Sequence, residues 1–356
     1  MGLSSMGVLD AYPTGQQIRI EDYRSCLQLR TFSVTTIYIY IIPVTTIMMN
    51  NKNLKNSSLS ALVLDPNYVT GFIDAEGCFG VYLKKNSDSK YGFEVKGVFQ
   101  INLHKNDSVL LEKIKLFFNN IGNIYEKKES IIYMVESKKL LPVIIDHFQK
   151  YPLITQKRAD YILFKSAVEL IIRGEHLTAE GLDKVVAIKA SMNRGLSLDL
   201  KAAFPGVIPV SRPLVDSEIT PNPYWLAGFV EGEGCFRVNV QESSTTNLGF
   251  QVQLRFQITQ HSRDKILMDN LVKFLGCGKY HAPRGMEAGD YIVTKFSDIV
   301  EKILPFFNRY RLIGAKSKNF EDFCKVVELV TTKAHLTHKG LEQINKIKSG
   351  MNTKRT

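Results

Sequence analysis

The sequence predicts an α+β protein made of two pseudo-symmetric domains, each an antiparallel β-sheet backed by helices. The stretch Gly71-Phe-Ile-Asp-Ala-Glu-Gly-Cys-Phe79 recurs as Gly228-Phe-Val-Glu-Gly-Glu-Gly-Cys-Phe236. From Glu76 to Glu233 the offset is 157 residues (233 − 76), and it continues without a gap from Phe99-Gln-Ile-Asn-Leu-His to Phe256-Gln-Ile-Thr-Gln-His. After each copy, helical spacing gives way to strict alternation of apolar and polar residues, as when a helix hands over to a strand. A repeat this long is a whole domain, so an internal pseudo-dimer is expected.

Residues 1–56 fit neither repeat. Their uncharged stretch from Phe32 to Met49 is broken by Pro43 and is barely long enough to cross a bilayer. A strand pair, a targeting segment carrying Arg19, Arg24 and Arg30, or a fusion to upstream coding sequence are the other readings. The first domain, 57–193, opens on a short helix with Asp65 as cap, Pro66 at its first position and Gly77 at its end. In the next strand Phe79, Val81 and Leu83 alternate with Gly80, Tyr82 and Lys84. A long turn, Asn86 to Lys90, leads to a second strand, where Phe93, Val95, Phe99 and Ile101 alternate with Glu94, Lys96, Gln100 and Asn102. A helix from Val109 to Phe118, strands around Ile124 and from Ile131 to Val135, and helices from Lys139 to Phe148, Gln156 to Ile172 and Ala179 to Met192 complete the unit. Helices on one side of such a sheet leave its polar side facing something wet or charged.

Residues 194–223 contain Pro205, Pro209, Pro213, Pro221 and Pro223 and are expected to act as a tether. The second domain, 224–356, replays the first. Phe236, Val238 and Val240 alternate with Arg237, Asn239 and Gln241, and Phe250 to Ile258 with Gln251, Gln253, Arg255 and Gln257. Later the offset becomes 159: Lys157 falls on Lys316, and Met192-Asn193 on Met351-Asn352.

At 356 residues the chain can bury two cores. Its formal charge of +11 points to a polyanion, nucleic acid first, with a basic ribosomal or membrane-surface protein as the rival. Five cysteines form no CxxC pair and no framework, which favours a reducing compartment with Cys78 and Cys235 as small buried residues.

Gly71 and Ala75 share one helical face, as do Gly228 and Gly232. Such small residues either let the two motif helices meet at a domain interface or merely ease local packing. If the helices meet, Glu76 and Glu233 come together at the C-terminal ends of two helices, where they repel each other and the helix dipoles. A divalent cation would remove both penalties; carboxylate and carbonyl oxygens suit magnesium, and no Cys/His cluster offers a zinc site. Asp74 and Glu231 lie two residues earlier and are read as structural.

Gly71 to Gly77 and Gly228 to Gly234 resemble the signature of the LAGLIDADG homing endonucleases, in the monomeric two-repeat form of fungal mitochondrial introns. The resemblance covers roughly residues 65–356. It implies two such domains, their sheets forming a saddle, in a mitochondrial protein with no obligate protein partner that makes a Mg2+-dependent staggered cut in a long double-stranded DNA site. In that family the last acid of each motif is catalytic, here Glu76 and Glu233, both glutamate where aspartate is usual. The preceding residue, here Ala75 and Gly232, offers a carbonyl to the metal, and Gln100, Gln257, Lys157 and Lys316 match the family's polar cluster. The two glutamines also fall on the polar face by alternation, whereas a surface salt-bridge role for the lysines stands beside the catalytic one. Tyr82, Lys84, Lys96, Arg237, Asn239, Gln241, Gln251, Gln253 and Arg255 suit base reading from a β-ribbon. Lys84 against Gln241 and Lys96 against Gln253 make the halves unlike, so a non-palindromic target is expected. The alternative is a maturase that binds intron RNA.

Overall fold

The computed structural model describes residues 64–215 and 219–352. The extension 1–56, with Cys26 and the uncharged stretch, lies outside the described residues. Among the described residues no helix is long and apolar enough to cross a membrane.

Helix α1 (Pro66–Glu76) starts because the Asp65 carboxylate accepts the Asn67 N–H and Pro66 needs no donor partner; it stops at Gly77, whose N–H reaches the Ile73 carbonyl. Strands β1 (Gly77–Lys85), β2 (Phe93–His104), β3 (Asn123–Glu126) and β4 (Ser130–Val135) form one sheet in the order β1-β2-β4-β3, with every pairing antiparallel. Helices α2 (Ser108–Phe117), α3 (Leu141–Lys150), α4 (Lys157–Ile172) and α5 (Ala179–Ala190) accompany it.

The second repeat copies this plan. Helix α7 (Pro223–Glu233) is capped by the Asn222 side chain and ended by Gly234. Strands β5 (Gly234–Glu242), β6 (Phe250–His261), β7 (Lys279–His281) and β8 (Ala288–Val293) take the order β5-β6-β8-β7. Helix α8 (Lys265–Leu275), a helical run over 296–309 with a π-turn at Ile299–Ile303, α9 (Lys316–Thr331) and α10 (His338–Ser349) follow.

Each sheet buries a phenylalanine cluster on its helix side. Phe79 packs against Phe99, Phe148 and Phe164, and Phe236 against Phe256, Phe307 and Phe323. Burying each such ring stabilises the fold by roughly 1.5–3 kcal/mol. The cores are not wholly separate: Ala227 belongs to the first, with Tyr310 and Ile313 packed on it, and Ile154 belongs to the second, with Ala75 packed on it.

The proline-rich stretch 194–223 is not a bare tether. It forms helix α6 (Leu198–Ala203), for which Ser197 is the cap, and Phe204, Val207 and Val210 lie on the first core. Arg212 clamps Asp160 with both guanidinium nitrogens, at 2.8 and 2.9 Å. Proline content marked the stretch as non-helical overall, but the apolar residues between the prolines have a face to cover. Cys78 and Cys235 also differ from expectation: both are half-buried, because they point to the uncovered side of their sheets.

Candidate active site and nucleic-acid face

Helices α1 and α7 approach at backbone contact. A Cβ placed on Gly71 would lie 1.9 Å from the Trp225 carbonyl oxygen, and one on Gly228 would lie 2.0 Å from that of Tyr68. No side chain fits at either position, so glycine there sets the separation of the helices. Gly232 continues the seam, its Cβ position lying 2.4 Å from the Ala75 Cβ and 3.1 Å from Glu76 Oε1.

Two buried carboxylates lock the seam in matched fashion. Asp74, 1% exposed, accepts from the Ile154 and Thr155 N–H groups, the Thr155 hydroxyl and, across the seam, the Trp225 indole at 2.8 Å. Glu231 accepts from the Ile313 and Lys316 N–H groups and, across the seam, the Tyr68 hydroxyl at 2.8 Å. Burial drives the Asp74 pKa up to about 6 despite these donors. Such groups are expensive to bury unless fully hydrogen-bonded, and here each ties its own repeat to the other.

A second cross-tie escaped the sequence reading. Asp107 accepts the Ala315 N–H at 2.8 Å, and Asp264 accepts the Gln156 N–H at 2.7 Å, each reaching the opposite repeat at the start of the helix that carries the lysine. The signal was present, since His104-Lys-Asn-Asp107 and His261-Ser-Arg-Asp264 continue the gap-free alignment. A charged residue after a strand also reads as an ordinary helix-starting acid, so the alignment alone assigns no partner.

Glu76 and Glu233 stand at the ends of α1 and α7, on either side of this seam. The Glu233 pKa is pushed up to about 7, first by burial and then by the Glu76 carboxylate, with Lys157 and Lys316 pulling it back. Glu76 is raised by burial, against the same two lysines. The lysines are half-buried, and their ammonium groups end on helix-terminal carbonyls rather than in surface salt bridges. Lys157 Nζ donates to the Ile73 carbonyl at 3.0 Å and the Ala75 carbonyl at 2.9 Å, and Lys316 Nζ donates to the Gly232 carbonyl at 2.6 Å. Burial lowers the pKa of both, while the surrounding carboxylates hold their charge.

Gln100 and Gln257 lie opposite Cys78 and Cys235, one residue into the strands that follow the glutamates. They are not equivalent. Gln100 is half-buried, whereas Gln257 is 7% exposed and donates its amide to Asp290 at 2.7 Å and Thr259 at 2.9 Å. A cleft of about 440 Å³ opens beside the carboxylates, lined by Glu76, Asn102, His104, Asp107, Gly232 and Lys316 among others.

The candidate base readers share the uncovered sheet faces. Tyr82 lies opposite Lys96, and Lys84 opposite Glu94; Arg237 lies opposite Arg255, Asn239 opposite Gln253, and Gln241 opposite Gln251. Lys96 is ion-paired with Glu94 at 3.1 Å, an exposed contact of little energetic weight.

A family model described as LAGLIDADG endonuclease matches residues 69–168 and 226–327. The chain is 39% identical over 289 residues to "Probable intron-encoded endonuclease 3" of Neurospora crassa, a match covering 80% of this chain and 54% of that protein. The chain thus spans about half the length of that curated relative. Among solved structures, the I-SmaMI LAGLIDADG homing endonuclease bound to cleaved DNA is 45% identical, with a TM-score of 0.81 over 82% of this chain and 98% of that one. I-SmaMI bound to an uncleaved DNA target in the presence of calcium ions is likewise 45% identical, with a TM-score of 0.80 over 81% and 99% of the two chains.

Proposed function

The chain belongs to the LAGLIDADG endonuclease family, and from that premise we propose that it is a homing endonuclease cutting both strands of a long, non-palindromic DNA site, with magnesium as the working ion. The observation that carries this reading is the meeting of Glu76 and Glu233, one from each repeat, at a seam flanked by two half-buried lysines.

The donor set fits a hard divalent cation. Two carboxylates and the Ala75 and Gly232 carbonyls, each of which also accepts a lysine ammonium, offer oxygen only. That suits magnesium, which is bound by one or two carboxylates together with substrate phosphates. When bound, such an ion polarises the phosphoryl group and eases deprotonation of the attacking water. Glu76 and Glu233 hold it only when ionised. Lys157 and Lys316 keep the two helix ends from repelling the phosphate and offset charge that develops on it. Gln100, half-buried on the same side, can orient water or a phosphate oxygen, whereas Gln257 has its amide committed to Asp290 and Thr259.

Both carboxylates lie in one chain, so a monomer suffices. The mitochondrial location expected of a fungal intron-encoded member is part of the proposal. The intron-RNA maturase alternative draws no support from the carboxylate pair, which splicing assistance does not require.

The test is cleavage of a plasmid carrying the intronless host junction, in magnesium, by the wild type and by Glu76→Gln and Glu233→Gln. The wild type should linearise it, and each variant should be slower by at least about 100-fold while still binding the site in calcium. Equal cutting by the wild type and either variant would sink the mechanism.

A further inference from the structure

On the uncovered faces the two repeats agree nearest the seam and then diverge. The first row is the same in both: Cys78 opposite Gln100, and Cys235 opposite Gln257. The second row is Gly80 opposite Val98 in the first sheet and Arg237 opposite Arg255 in the second.

In the first sheet this row is apolar. A Cβ on Gly80 would lie 2.7 Å from the Tyr82 ring, so the ring is laid over the bare backbone, and Val98 is only 5% exposed beside it. In the second sheet two guanidinium groups face each other across the strands, an arrangement that destabilises a sheet unless an acceptor is supplied. Arg237 is exposed, with its Nε 3.4 Å from Cys235 Sγ. Arg255 is steered by Asp290, Nη2 to Oδ2 at 3.8 Å, while its Nε is enclosed and without a partner among the described residues. Asp290 is itself fixed by Gln257 and the Thr259 hydroxyl, each at 2.7 Å. Asp290 lies opposite Thr259, and the matching place in the first sheet, opposite Asn102, holds Ile132. The reversal of polarity therefore extends across neighbouring strands.

We infer that these rows read the innermost variable base pairs of the two half-sites by opposite chemistry: Arg237 and Arg255 engage guanine on one flank, and the exposed Tyr82 ring, laid over Gly80 and Val98, accepts a thymine methyl on the other. In the major groove guanine presents the N7 and O6 acceptors that a guanidinium matches, and thymine presents its methyl group. Asp290 acts as a positioning residue that aims Arg255. The inference rests on the DNA-cleaving reading above and adds to it which bases are read by which half.

The test is selection of duplexes from a random double-stranded library by the full chain in calcium, followed by cleavage of the recovered duplexes in magnesium. Wild type should recover an asymmetric site with guanine on one inner flank and thymine on the mirrored flank. Arg237→Ala and Arg255→Ala should each reduce the preference for guanine about tenfold at one position and leave the far flank unchanged. Asp290→Ala should relax the same position as Arg255→Ala. Tyr82→Ser should weaken the thymine preference on the opposite flank. A shared site without that guanine flank, or arginine variants that weaken every sequence equally with a shallower salt dependence, as phosphate contacts would, overturns this inference and leaves the nuclease reading intact. Recovery of no common site, or of a site that is never cut, overturns the nuclease reading and this inference with it.

Discussion

Glu233 is about half ionised near neutral pH, with a pKa of about 7 set by burial and by Glu76. Its pKa is raised above the ordinary 4.5, so the folded state holds this proton more tightly than the unfolded chain does. Its contribution to stability is therefore full below about pH 4.5 and lost as pH rises through 7, on the order of 2 kcal/mol after solvent screening. A cation that needs the ionised form should reverse this. Divalent metal should raise the melting temperature more at pH 8 than at pH 6, and cleavage should climb between those values; thermal scans with and without magnesium check it. Lys157 pulls down the pKa of both glutamates. Lys157→Met should therefore shift the midpoint of the cleavage pH profile upward, whereas a purely structural loss would lower the rate without moving it. The paired glutamates were legible because a duplicated motif carries its chemistry twice. The role of the lysines was not, since alignment places Lys157 on Lys316 without saying that each ammonium ends on a helix-terminal carbonyl.

At the scale of elements, the seam depends on glycine. Gly71→Ala or Gly228→Ala would force apart two backbones already in contact, a destabilisation of about 3 kcal/mol or more measured by urea unfolding. Asp74→Asn would turn an amide toward donors that now meet a carboxylate, and should cost about 2 kcal/mol in the same experiment. Strands and helix starts were readable because alternation, Asp65-Pro66 and Gly77 are local signals. The cross-ties of Asp107 and Asp264 and the packing of 194–223 were not, because each depends on a surface that exists only after both repeats have folded. The half-burial of Cys78 and Cys235 has the same origin: composition favours buried cysteine, and strand register overrules it.

Across the described residues, one fold is written twice and joined so that each half completes the other. Ala227 and Ile154 exchange cores, Trp225 and Tyr68 exchange hydrogen bonds, and the glutamates share a centre. With a formal charge of +11, affinity for DNA should fall by roughly 1,000-fold or more between 50 and 200 mM salt if about six phosphates are contacted, which filter binding can measure. The most direct measurement is anomalous scattering from a crystal of the full chain with its DNA target and manganese in place of magnesium. An anomalous peak bonded to an oxygen of both Glu76 and Glu233, next to a phosphate at the centre of the site, is the predicted result. Anomalous peaks only elsewhere, with both glutamates engaged by Lys157 and Lys316 alone, would contradict a shared metal centre.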